Sequence, residues 1–209
     1  MTFEPDSLVN FIRKKNIPLH KLNILDLGCG QTQFLVLLDH ENPIIESYVG
    51  VDIDEDIHPW AFSQVISVGS TPYDTYDQIH SAVFLHEKLA RNEFDELFKF
   101  RCPLSIQEYI KGLASKEFPD GPFNIVILSN IVHLMPESDV RYIFEILTKN
   151  IKTPALFYME YFFQNVKTCY QGARNVTHKE TQYIQSLFDE VVIVGEDFTD
   201  KHIFYGIIY

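Results

Sequence analysis

Two short apolar runs, one ending in a glycine turn and the other in an acid, constrain this chain more than any other feature. Residues 24–27 (Ile-Leu-Asp-Leu) lead into Gly28-Cys29-Gly30, and residues 48–51 (Tyr-Val-Gly-Val) lead into Asp52. A helix-forming stretch at 33–39 lies between them. Strand, glycine turn, helix and second strand form the unit from which parallel α/β sheets are wound. Neither glycine carries a Cβ, so the backbone there can turn sharply and lie against a ligand. A carboxylate at the end of the second strand is placed to accept from both hydroxyls of a ribose. The layout suits a cofactor that contains adenosine.

The dinucleotide fingerprint calls for a third glycine three residues after the second, where this chain has Gln33. A bulky amide at that point argues against a pyrophosphate on the helix N-terminus, and so against a nicotinamide dehydrogenase. The arrangement Asp26-x-Gly28-x-Gly30-x-Thr32 instead resembles the first motif of class I S-adenosylmethionine-dependent methyltransferases. That motif has an acid two residues before the first glycine and usually a third glycine where Thr32 stands. S-adenosylmethionine carries no phosphate, so such a loop need only hug the adenosine and methionine parts.

The resemblance continues downstream. An apolar run from Phe123 ends in the polar pair Ser129-Asn130, followed by Ile131, Val132 and His133. It is similar to the family's fourth strand and the loop after it. Near-continuous apolar character is expected of a parallel strand buried on both faces. Apolar residues at Val140, Ile143, Phe144 and Leu147 then predict a helix over 140–150. Two β-rich runs, 190–195 and 202–209, flank a polar turn and predict an antiparallel hairpin.

The resemblance implies one doubly wound α/β domain over 1–209. Its sheet would be seven-stranded and mostly parallel, with a C-terminal antiparallel hairpin and helices on both faces. It also implies S-adenosyl-L-methionine as cofactor, held by Asp26, Gly28, Cys29, Gly30, Thr32, Asp52, Ile53 and Asn130. Residues 98–102 read as the third strand, followed by a helix through Ala114. On that placement Ser105 and Gln107 stand where the family often holds the adenine amino group.

The segment between the second and third strands is longer than one helix and one strand require, which marks an insertion around 57–76. Its Trp60, Phe62, Tyr73 and Tyr76 either cap a substrate pocket or pack the insertion onto the body.

Methyl transfer from a sulfonium is an in-line displacement, in which the protein aligns the nucleophile and excludes water. A hydroxyl or protonated-amine acceptor also needs a base. His133 is the candidate, since imidazole titrates near pH ~6.5; the alternative is a His that only anchors its loop. On the fifth strand (154–161), Tyr158 and Glu160 point to one side and can line the substrate pocket. Thr177 and Glu180 have capping-box spacing, which explains the segment around His178 without catalysis. Glu and His show no metal-ligand spacing.

A formal charge of −12 opposes a general nucleic-acid binder, since Lys and Arg dominate phosphate affinity. Arg13-Lys14-Lys15 is the exception, and reads as a solvated end of a first helix over 6–16 with Leu8, Phe11 and Ile12 inward. The chain is therefore expected to be a methyltransferase of a small molecule, acting at oxygen or nitrogen. The alternatives are a nucleic-acid methyltransferase and a catalytically silent interaction module of the same fold. Cys29, Cys102 and Cys169, odd in number and far apart in sequence, read as reduced thiols of a cytoplasmic protein. No run approaches the ~18 apolar residues of a membrane span.

Overall fold

The computed structural model describes residues 12, 22–30, 45–54, 98–162, 173–196 and 201–209. Its strands are β1 (Leu22–Leu27), β2 (Ile45–Val51), β3 (Phe98–Arg101), β4 (Phe123–Ser129), β5 (Ile151–Phe162), β6 (Glu190–Glu196) and β7 (Lys201–Ile208). The helices among the described residues are α1 (Ile106–Ser115), α2 (Glu137–Leu147) and α3 (His178–Gln185), and a 3₁₀ turn spans Val132–Leu134. The strands form one seven-stranded sheet in the order β3-β2-β1-β4-β5-β7-β6. Pairing is parallel from β3 through β5, and β7 runs antiparallel to both its neighbours. This is the doubly wound sheet with a terminal hairpin that the sequence predicts.

Alternation along the strands divides the core into two faces. Leu25, Leu27, Val49, Val51, Val126, Leu128, Phe157 and Met159 join the apolar stripes of α1, α2 and α3 in one cluster. The stripe of α2 is Val140, Ile143, Phe144 and Leu147, at the spacing of a helix with one buried side. Ile24, Tyr48, Ile125, Ile127, Leu156 and Tyr158, on the opposite face, are also buried. Ile12, inside the expected first helix, is helical and fully buried. The rest of that helix, the stretch 33–39 and the insertion 57–76 lie outside the described residues.

Local chemistry explains where the helices start. Ser105 caps α1 in a reciprocal capping box with Glu108. Thr177 caps α3, accepting from the Glu180 amide at 3.1 Å. The Glu180 carboxylate does not close a second box; Arg174 binds it instead. At α2, Pro136 offers no side-chain acceptor, and Glu137 and Asp139 meet the positive end of the helix dipole.

Candidate cofactor site at the strand ends

Parallel pairing of Leu27 with Val51 sets the turn after β1 beside the acid after β2. The Gly28 and Cys29 amides both donate to the Val51 carbonyl, at 2.8 and 3.1 Å, which bends the turn across β2. Gly28 (φ +72°) and Gly30 (φ +48°) lie in the left-handed region that glycine adopts without strain. They are glycines for different reasons. A Cβ on Gly28 would meet Ile131 Cγ2 at 2.4 Å, so the segment after β4 packs directly on it. Among the described residues a Cβ on Gly30 would meet nothing nearer than a carbonyl oxygen at 4.0 Å.

Both oxygens of Asp52 are oriented by main chain. Oδ2 accepts from the Gly30 amide at 3.0 Å and Oδ1 from the Asp54 amide at 3.0 Å. An ionised carboxylate has about four lone-pair sites, so it can accept two further donors. Beside it Ile53 is 74% exposed, a large apolar side chain uncovered at the site. Asp26 lies behind the turn, buried, and accepts from the Tyr48 hydroxyl at 2.8 Å. Burial pushes its pKa up to about 7; the Tyr48 bond pulls the other way, and the charge of Asp52 adds to the rise. Tyr48 carries no sequence signal for this role beyond its strand, because register alone brings it to Asp26.

The end of β4 contributes a second polar group. Asn130 has φ +59°, a conformation that asparagine tolerates, and its amide donates to the Glu160 carbonyl at 2.7 Å. Its Nδ2 donates to Ser129 Oγ at 3.3 Å, whereas its Oδ1 is buried and accepts no hydrogen bond from the described residues. The hydroxyls of Ser129 and Tyr158 both donate to Glu160 Oε2, at 2.6 and 3.1 Å. Tyr158 and Glu160 thus share one side of β5, both buried. Ser129 belongs to this cluster although the sequence marks it only as a polar strand end.

His133 sits in the 3₁₀ turn and is fully buried, and its carbonyl accepts from the Arg174 amide at 2.9 Å. The Arg174 guanidinium donates to the carbonyls of Met135 and Val132 while pairing with Glu180 at 2.6 and 2.7 Å. The His133 turn is therefore fastened from a segment some forty residues away.

On the β3 side the Leu104 amide donates to the Asp52 carbonyl at 2.8 Å. Ser105 spends its hydroxyl on the Glu108 carboxylate at 2.6 Å, and Gln107 Nε2 donates to Asp139 at 3.2 Å. Both side chains thus have structural partners at the end of the sheet where the adenine was expected. Thr32 and Trp60 lie outside the described residues. Cys29 and Cys102 are both free thiols, Cys29 buried and Cys102 half-buried.

No family model matches the chain. Solved structures share its fold at low identity. One is a Nostoc punctiforme PCC 73102 protein provisionally assigned as an O-methyltransferase (TM-score 0.56, 12% identity, 97% of this chain). The present chain spans only 55% of that structure. Magnesium protoporphyrin IX methyltransferase of Synechocystis PCC 6803, solved with bound S-adenosylmethionine, aligns with 98% of this chain and 78% of its own (TM-score 0.53, 12% identity). An S-adenosylmethionine-dependent methyltransferase of Methanosarcina mazei aligns with 93% of this chain and 94% of its own (TM-score 0.54, 16% identity). The chain has the fold of class I S-adenosylmethionine-dependent methyltransferases.

Proposed function

We propose that this chain is an S-adenosylmethionine-dependent methyltransferase acting on oxygen or nitrogen of a small molecule. The observation that carries the reading is the glycine turn after β1 joined to Asp52 by the Gly30 amide, on this fold. Asp52 would accept from the ribose hydroxyls, and the exposed Ile53 would cover one face of the adenine. Gly28, Cys29 and Gly30 would supply backbone at close range, with Thr32 completing the turn. Asn130 Oδ1 is a buried acceptor that lacks a donor among the described residues, and an amino-acid ammonium would supply one. Asp26, behind the same turn, would favour that positive charge. Ser105 and Gln107 would reach an adenine edge only by giving up the bonds they now make.

The cofactor, when bound, offers a methyl group already activated by positive sulfur. What remains for the protein is alignment and exclusion of water. Tyr158 and Glu160 would face the acceptor from β5, with Trp60 a further pocket residue. Full burial of His133 and its fastening by Arg174 support a role in shaping the pocket over one as general base.

The charge of −12 supports a small acceptor over RNA or DNA. Among the described residues no helix is long and apolar enough to cross a membrane. Calorimetry with S-adenosylhomocysteine against NAD tests the cofactor, and an acceptor screen follows. Binding of NAD alone, or of neither, sinks the reading.

A further inference from the structure

The side-chain amide after β4 is set by a chain of hydrogen bonds that ends on β5. Parallel pairing places Ser129 opposite Glu160. The Ser129 hydroxyl donates to Glu160 Oε2 at 2.6 Å, the length of a charge-assisted bond from a hydroxyl to a carboxylate. The Tyr158 hydroxyl donates to the same oxygen at 3.1 Å. Asn130 Nδ2 donates to Ser129 Oγ at 3.3 Å, and its main-chain amide donates to the Glu160 carbonyl at 2.7 Å.

Counting protons gives this chain one direction. A carboxylate only accepts, and a serine hydroxyl has a single proton to give. Ser129 gives it to Glu160, so toward Asn130 its oxygen can only accept. The Asn130 amide therefore turns its NH2 to Ser129 and its Oδ1 away. Oδ1 is the buried atom that accepts no hydrogen bond from the described residues. The next residue, Ile131, packs on Gly28, where a Cβ would meet its Cγ2 at 2.4 Å, which brings the Asn130 segment against the glycine turn.

We propose that Glu160 and Ser129 are positioning residues for the cofactor: they hold Asn130 Oδ1 as an acceptor for the ligand's ammonium, and so select a cofactor that carries a protonated amine at that end. The proposal rests on the cofactor reading above. An asparagine free to turn could meet an ammonium with its NH2, setting donor against donor. The direction imposed by Glu160 removes that arrangement before the ligand arrives, so binding need not turn the amide. Without the carboxylate, the Ser129 proton goes to the carbonyl oxygen of Asn130, a better acceptor than a hydroxyl, and the amide reverses.

The test is calorimetry on the full chain with S-adenosylhomocysteine and its desamino analogue, read as the ratio of the two affinities. The ligands differ only in the ammonium, so a partly misfolded sample affects both alike. In the wild type S-adenosylhomocysteine should bind about tenfold tighter or more, as expected of one hydrogen bond to a charged group. Glu160→Met should abolish that preference. Ser129→Ala, which leaves the Glu160 charge in place, should lower it as well, and Ser129→Thr, which keeps the hydroxyl, should preserve it. Asn130→Asp presents an acceptor whichever way it turns, so in that background Glu160→Met should leave the ratio unchanged.

The proposal is overturned if Glu160→Met keeps the wild-type ratio. It is also overturned if the ratio falls in Glu160→Met but not in Ser129→Ala, or falls equally in the Asn130→Asp background; either result means that the Glu160 charge acts on the ammonium directly. A wild type that binds both ligands equally overturns the proposal and leaves the cofactor reading standing. Failure to bind either ligand overturns the cofactor reading itself and the proposal with it.

Discussion

The Gly30 amide donates to Asp52 Oδ2 at 3.0 Å, so the turn after β1 and the acid after β2 form one unit. The acid holds the turn and, on the proposed reading, would also meet the ribose. Asp52→Ala is expected to weaken S-adenosylhomocysteine by about 2–4 kcal/mol, from lost charge-assisted bonds. Asp54→Ala keeps the backbone amide that orients Asp52 and removes an exposed carboxylate, so it should change cofactor affinity little. Calorimetry on both variants checks this; equal losses, or a larger one at Asp54, would move the ribose contact two residues along the chain.

His133→Ala is expected to lower the thermal midpoint and cofactor affinity together, leaving the pH profile of residual activity as it was. Its full burial and the Arg174 amide at its carbonyl lead to that outcome. A rate loss of roughly 10²–10⁴-fold with intact affinity and an altered acid limb would instead make it the base.

Arg174→Ala leaves the Glu180 carboxylate buried without its partner and frees the carbonyls of Val132 and Met135. Breaking one side of a buried pair costs about 3–5 kcal/mol. Urea denaturation should show a loss of that order, and hydrogen exchange should quicken at 132–135. Unchanged exchange there would mean that the turn is held without Arg174.

Asp26 gives the fold a pH dependence of definite sign. Its pKa is about 7 in the folded protein, against an ordinary 3.8. The folded state therefore binds this proton more tightly than the unfolded chain does. The stabilisation is complete below pH about 4 and is lost as the pH rises through about 7. Asp26→Asn, neutral throughout, should lose less stability than the wild type between pH 5 and pH 8. Urea midpoints at the two pH values measure the difference, and equal losses would place the titrating group elsewhere.

Local features were legible in the sequence. β4 and α2 announce themselves through an unbroken apolar run and a helical stripe, and the glycine turn carries its signal within a few residues. Period-two alternation put Tyr158 and Glu160 on one side, where they are now joined by a 3.1 Å bond. Strand starts were harder to read. β2 begins at Ile45 rather than 48 because Glu46 and Ser47 are polar, with Ser47 bonded across to Asn23. β5 begins at Ile151 rather than 154, since Lys152 and Thr153 are exposed and precede a proline. What stayed hidden were links between residues far apart in sequence: Tyr48 to Asp26, Ser129 to Glu160 and Arg174 to the His133 turn. Each needs the pairing of whole elements before two side chains meet.

The strand order also dictates a sequence of events during synthesis. β6 is made before β7, yet among the described strands it pairs with β7 alone, and β7 fills the place between it and β5. Until β7 emerges, β6 has no seat in the sheet and β5 presents an open edge. Unpaired edges of this kind are templates for association between chains. A chain ending before residue 201 would lack β7, leaving that edge of β5 unpaired and β6 without its partner strand.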